Sequence, residues 1–349
     1  MDCCLNRLSE GKIIPFVSLF ILILLFTSSP LLAAKVEITL YATDTFKTMP
    51  DGKRIYMWGF TDDPKGEAKI PAPPIIVREG DDVYITLINK GMLKAIPQNI
   101  EPHTIHLHGI HVPTYYDGVP ELSFSVPAFG TRFTYYFKAN RPGTYMYHCH
   151  VQAPKHIQMG MYGALVVRPK KGDDYVYNDS HTKFDREYIL VLSEIDSRWH
   201  KSVYDGGGKF NPIEFRPDYW LINGNAYPDT LSDPKTHIKT KTGERLLIRL
   251  ISLGLQPHTM HLHGTHTTII GRDAVKLRYP QEVFTVHISS GETYDLLVVF
   301  PDKTKISKEY KRVTRYPEKF PLHDHEDHRV TNNGVYPGGM LTIVEVDKP

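Results

Sequence analysis

Pro102–His111 reads PHTIHLHGIH, and Pro257–His266 reads PHTMHLHGTH. A second pair of motifs follows each, HCH at His148–His150 and HDH at His323–His325. Two matches recurring in the same order mean that one unit has been duplicated. Around them run VEITLYAT, DDVYITLIN, RFTYYFKA and GALVVRP in the first half, and EYILVLSEI, RLLIRLIS, TYDLLVVF and GMLTIVEV in the second. These are short runs rich in β-branched and aromatic residues, punctuated by Gly, Pro, Asn and Asp, and no long stretch has helical periodicity. The duplicated unit is therefore expected to be an antiparallel β-sandwich. Residues 35–170 and 186–349 form the two copies, joined by a polar linker at 171–185 within RPKKGDDYVYNDSHTKFD (Arg168–Asp185).

The repeat leaves the N-terminus unexplained. Arg7 and Lys12 precede the apolar run IIPFVSLFILILLFTSSPLLAA, which ends in small residues before Lys35. This is the pattern of an export signal over residues 1–34, with an uncleaved anchor as the alternative. Export would put the folded part in the periplasm or outside the cell. About 315 residues remain, enough for two domains. The formal net charge of +2 gives no case for nucleic acid as a partner. Cys3 and Cys4 lie ahead of the apolar run, so Cys149 is left without a disulfide partner in an oxidising compartment. A lone cysteine is usually a small buried hydrophobe. Histidines on both sides of Cys149 argue against a purely apolar pocket.

Of the 18 histidines, 12 fall in the four repeated motifs, six in each half, and His156 and His328 follow just behind to make 14, which scattered surface histidines would not do. On a strand, residues two apart share a face and neighbours point oppositely. His148 and His150 then project together while Cys149 faces the other way. His106 and His108 can join the two histidines, and His103 can join Cys149. His156 and Met161 follow through a Pro-containing turn. A thiolate, two imidazoles and a thioether are the donor set of a blue-copper electron-transfer site, with tetrahedral zinc as the rival. Met159 reads as packing. The second half has Asp324 in place of Cys149 and Pro337 opposite Met161, so it should lack a blue site. Its His258, His266 and His328 are as readily structural as metal-binding. The paired histidines survive in both halves, and neither half alone supplies a full set, which points to an interface site.

HLHG in both halves, HCH with His and Met downstream, HDH, and INGNAYP at Ile222–Pro228 together resemble the multicopper oxidases, specifically the two-domain laccase-like members with one blue copper in the first domain. The resemblance covers essentially all of the chain after the leader. It implies an all-β fold of two cupredoxin-like Greek-key sandwiches in tandem. It further implies type 1 copper on His103, Cys149, His156 and Met161, type 2 copper on His106 and His261, and a binuclear type 3 pair on His108, His148, His150, His263, His323 and His325. That amounts to four copper ions per chain equivalent. In the family such a cluster reduces dioxygen to water with electrons collected singly at the blue copper, and two-domain members form homotrimers with a cluster between chains. Asp117, in YYDGVP after the first HLHG, resembles the acid after that motif in related oxidases. It is the candidate proton relay, with Glu326 as a second, although Asp117-Gly118 is also turn chemistry.

The rival enzyme is a copper nitrite reductase, which carries one type 2 ion at its interface and does not need paired histidine motifs from both halves. A non-catalytic blue-copper carrier would leave the second half's four histidines idle, and a zinc-stabilised structural domain is a further alternative. The reducing substrate is open between phenols, aromatic amines, a small redox protein and metal ions. No Met-rich segment marks a cuprous oxidase, and no acidic cluster marks ferrous iron, although Glu101 is close to His103 in sequence. Asp302–Lys319 is basic and is expected to be a solvated loop or a lid beside a substrate entrance.

Overall fold

A computed structural model describes residues 33–95, 100–206 and 211–348. The leader segment falls largely outside the described residues. Residues 33–349 form one compact unit. Its first half contains β1 (Lys35–Thr48), β2 (Arg54–Thr61), β3 (Ala72–Arg78), β4 (Asp82–Asn89), β5 (His106–His108), β6 (Thr131–Lys138), β7 (Gly143–His148) and β8 (Tyr162–Arg168). These make two four-stranded sheets, β2-β1-β4-β6 and β3-β8-β7-β5. The second half contains β9 (Arg186–Ile195), β10 (Tyr219–Ile222), β11 (Ile238–Lys241), β12 (Arg245–Ser252), β13 (His258–Leu262), β14 (Thr267–Arg272), β15 (Val275–Val283), β16 (Thr285–Ile288), β17 (Thr293–Val299), β18 (Glu318–Asp324) and β19 (Leu341–Asp347). Its sheets are β10-β9-β12-β17-β14-β15 and β11-β19-β18-β13-β16.

Alternation explains the outer strands. In β4 every second residue, Val83, Ile85, Leu87 and Asn89, is buried, and the residues between them are half-buried. By contrast β8 and β12 are buried on both faces. In β8, Leu165 and Val167 join the first sandwich core, while Tyr162 and Ala164 pack with Met146 against Val191, Ile251 and Leu253 of the second half. A strand covered on both sides reads as a continuous apolar run, as YGALVV and RLLIRLIS do.

Arg249 lies in that apolar run and is fully buried. Its Nε donates to Glu187 at 2.6 Å, and its Nη1 to Thr144 Oγ1 at 2.8 Å and Asp295 at 3.2 Å. Thr144 belongs to the first half, so this ion network joins the two sandwiches. A buried charge is tolerated only when paired and hydrogen-bonded in this way.

One expectation needs correction. The sheets are mixed, because β1 and β4, β3 and β8, β9 and β12, and β11 and β19 pair in parallel. Helices are also present: α1 (Ala153–Met159), α2 (Ser197–Tyr204) and α3 (Lys308–Val313). Each is too short for a period to stand out. Within the polar stretch, Val176, Tyr177 and Phe184 are buried against Leu247, Ile270 and Leu297. The basic segment forms α3 and is exposed at Ile306, Tyr310 and Val313.

Candidate metal centre

Strand pairing brings the histidine motifs together. In the first half β5 and β7 are antiparallel with His106 opposite His148, and in the second β13 and β18 are antiparallel with His261 opposite His323. The two halves thus reproduce one register. Leu107 and Leu262 point into the cores, which turns the flanking histidines outward. His106 and His148 have ring centroids 5.1 Å apart, His106 and His150 5.3 Å, and His108 Nδ1 is 3.4 Å from His148 Nε2. In the second set, His261 and His325 are 5.3 Å apart, and His263 Nε2 is 3.1 Å from His323 Nε2. Among the described residues no ring contact or hydrogen bond joins one set to the other. The first set is half-buried to buried, whereas His263 and His325 are exposed.

The orientation of these rings suits metal donors. His106, His148, His261 and His323 donate Nδ1–H to the carbonyls of Asp117 (2.7 Å), Cys149 (3.0 Å), Phe284 (3.0 Å) and Asp324 (3.0 Å). Each is thereby fixed in the tautomer that leaves Nε2 as a lone-pair donor. Burial pushes His148 down to about 3, helped by its histidine neighbours, so it stays neutral.

On the opposite face, Cys149 Sγ lies 3.1 Å from His156 Nδ1 and 3.8 Å from His103 Nδ1, and these two nitrogens are 3.2 Å apart. All three side chains are fully buried. Burial alone would raise the thiol, but His156 and His103 overrule it and hold Cys149 well below the usual range. His156 is raised: burial lowers it, while Cys149 and Glu101 more than offset that. A ready thiolate and two converging imidazole nitrogens fit a copper ion.

His156 arrives on α1, whose N-cap Gln152 is left-handed and whose C-cap is Gly160. A Cβ on Gly160 would come within 2.6 Å of the Trp58 carbonyl, so the helix must end in glycine there. Met161 is fully buried, and its backbone bonds both neighbours: N–H to the His156 carbonyl and C=O from Cys149 N–H. Met159 is buried in the same core.

Two family models, each described as "Multicopper oxidase", match residues 64–172 and 186–330. The blue copper oxidase from Nitrosomonas europaea superposes with a TM-score of 0.73 at 31% identity, covering 89% of this chain and 86% of that one. The chain belongs to the multicopper oxidases. The multicopper oxidase mgLAC superposes equally well, with a TM-score of 0.73, 30% identity and coverage of 90% and 87%. A copper-containing nitrite reductase from Neisseria meningitidis is 31% identical over 201 residues, 55% of this chain. The chain spans less than half of that relative's length, 44%.

As a multicopper oxidase, the chain carries an ionic cluster where its second half lacks sulfur. His258 donates from Nδ1 to Asp324 at 2.7 Å and from Nε2 to Glu194 at 2.6 Å, all three fully buried. Burial lowers His258, but Asp324 and Glu194 outweigh it and raise the ring to about 9. Arg329 adds a second cation on Asp324 at 3.1 Å. The Thr259 N–H donates to Asp324 Oδ1 at 3.2 Å, as the Thr104 N–H does to Cys149 Sγ at 3.4 Å. His258 is therefore held by carboxylates. His266 is exposed beside Glu282 at 3.5 Å, and His328 packs edge-on against Trp220 at 5.5 Å.

Of the two acids, Asp117 lies with its carboxylate 3.5 Å from His106 Nδ1, whereas Glu326 is exposed and donates its N–H to Asp324. Gly118 beside Asp117 is obligatory, because a Cβ there would come within 2.2 Å of the Ile105 carbonyl. The turn chemistry and the proximity to His106 hold together. Sequence reasoning missed the bond from His156 Nε2 to Glu101, at 2.8 Å, and the part of Glu194. Glu194 did leave a signal, a carboxylate near the end of the apolar run YILVLSEI (Tyr188–Ile195), which must find a partner if buried.

Proposed function

We propose that this protein is a laccase-like oxidase coupling one-electron oxidation of a small reducing substrate to reduction of dioxygen to water. The observation that carries this is the pair of histidine sets, alike in register yet apart within the chain, with a buried Cys149–His103–His156 group behind one of them. Copper, when bound, would supply one-electron exchange at the thiolate site and oxygen reduction at the histidine cluster.

His103, Cys149 and His156 would hold the type 1 ion, with Met161 completing the set. His106 and His261 would hold the type 2 ion, and His108, His148, His150, His263, His323 and His325 the type 3 pair. Cys149 is bonded through the main chain to both His148 and His150, which gives electrons a short covalent route between the two faces. Asp117 would move protons at the carboxylate beside His106, and Glu326 would do so on the exposed side of the second set.

Because each set is half of a cluster, completion requires another copy. A chain with complementary halves at two surfaces joins head to tail and closes into a ring, here a homotrimer. The exposure of His263 and His325 supports this assembly. A nitrite reductase would leave the second half's paired histidines surplus. The direct test is Cys149→Ser in copper-loaded protein: blue absorption and turnover should vanish while the type 2 signal stays, and retained turnover would refute the assignment.

A further inference from the structure

Of the histidines read as ligands, His156 is the one whose outer nitrogen hydrogen-bonds a carboxylate among the described residues. Its Nδ1 faces Cys149, and its Nε2–H donates to Glu101 Oε2 at 2.8 Å. The other imidazole beside Cys149, His103, has Nε2 without a hydrogen-bond partner, and the remaining N–H donors bond main-chain carbonyls, with the Asp117 carboxylate 3.5 Å from His106 Nδ1. Glu101 is in turn ion-paired with Lys155. The Lys155 ammonium also lies 5.2 Å over the Trp58 ring, and that ring packs edge-on against His156 at 5.1 Å. Both charges are largely shielded from water, with 23% and 15% of their side chains exposed, so salt screens them weakly.

We propose that Glu101 sets the reduction potential of the Cys149 site through His156, with Lys155 as its opposing charge. The inference rests on reading Cys149, His103 and His156 as a copper site. A carboxylate on the outer N–H makes an imidazole a stronger donor, and its negative charge favours the more positive, oxidised state of the ion. The ammonium beside it acts in the opposite sense. Glu101 is thus a positioning residue, which orients His156 and biases its ion without touching it.

Redox titration of the blue absorption of the copper-loaded, full-length protein tests this. Glu101→Gln keeps an acceptor for the Nε2–H and removes the charge. The midpoint should move positive, changing the oxidised-to-reduced ratio about tenfold, which for one electron is about 59 mV. Lys155→Met keeps the stem and leaves the carboxylate uncompensated, so the midpoint should move negative. Opposite shifts with the blue band intact are the expected result. Midpoints that stay in place, or both move the same way, overturn the proposal. If Glu101→Gln loses its blue band, the sign of the Lys155→Met shift decides, and no negative shift overturns it. An unmodified protein without a blue band would overturn the copper reading itself, leaving the midpoint experiment without an object.

Discussion

His258 and Asp324 form a buried ion pair at 2.7 Å, at the positions where the first half has His103 and Cys149. The two halves place these residues equivalently, and where the second has no thiolate it holds charge: an imidazolium between Asp324 and Glu194. Asp324 also accepts from Thr259 and Glu326, and its carbonyl orients His323. The cluster therefore supports the second histidine set from behind.

That pair makes stability depend on pH in a defined direction. His258 is raised to about 9 from 6.5, so its contribution is complete below about pH 6.5 and fades as the pH rises through about 9. The thermal midpoint of the metal-free protein should fall over that window. His258→Gln should cost about 3 kcal/mol near neutrality and flatten the slope there, since it leaves two buried carboxylates short of a cation. An unaltered slope in the variant would show that other groups carry the pH dependence.

Asp117→Ala should lower dioxygen turnover about a hundredfold with copper content unchanged, the usual scale for a lost proton donor. Its carboxylate is 3.5 Å from His106 Nδ1, while its backbone carbonyl, which the substitution spares, keeps the ring oriented. Turnover at the wild-type rate would remove Asp117 from the mechanism.

The proposed assembly between chains predicts complementation. A chain with His148→Ala and His150→Ala and a chain with His323→Ala and His325→Ala should each be inactive alone. Co-expressed, they should regain up to about a quarter of wild-type turnover, because random head-to-tail pairing joins two intact halves at that frequency. Mixed oligomers without any recovery would show that the cluster does not form between chains.

Much of this was legible beforehand, for particular reasons. Histidines two apart in HLH and HCH declare a shared face, and Cys149 between two of them must face the other way, as its contact with His156 bears out. Strands such as β4 announce themselves by alternation. Other features leave no local trace. Parallel pairing of β1 with β4 has the same pattern as antiparallel pairing. The seven-residue α1 is shorter than two full turns, so its delivery of His156 could be read only as a turn. Glu101 and Glu194 meet their histidines across 55 and 64 residues, and such contacts are set by the tertiary fold alone.

In the proposed function the two histidine sets complete one oxygen-reducing cluster fed by the Cys149 site. Copper quantitation combined with electron paramagnetic resonance on the purified, copper-loaded protein tests it most directly. About four coppers per chain are expected, with one blue and one type 2 signal and the remaining pair silent. About two coppers per chain, both visible, would contradict it.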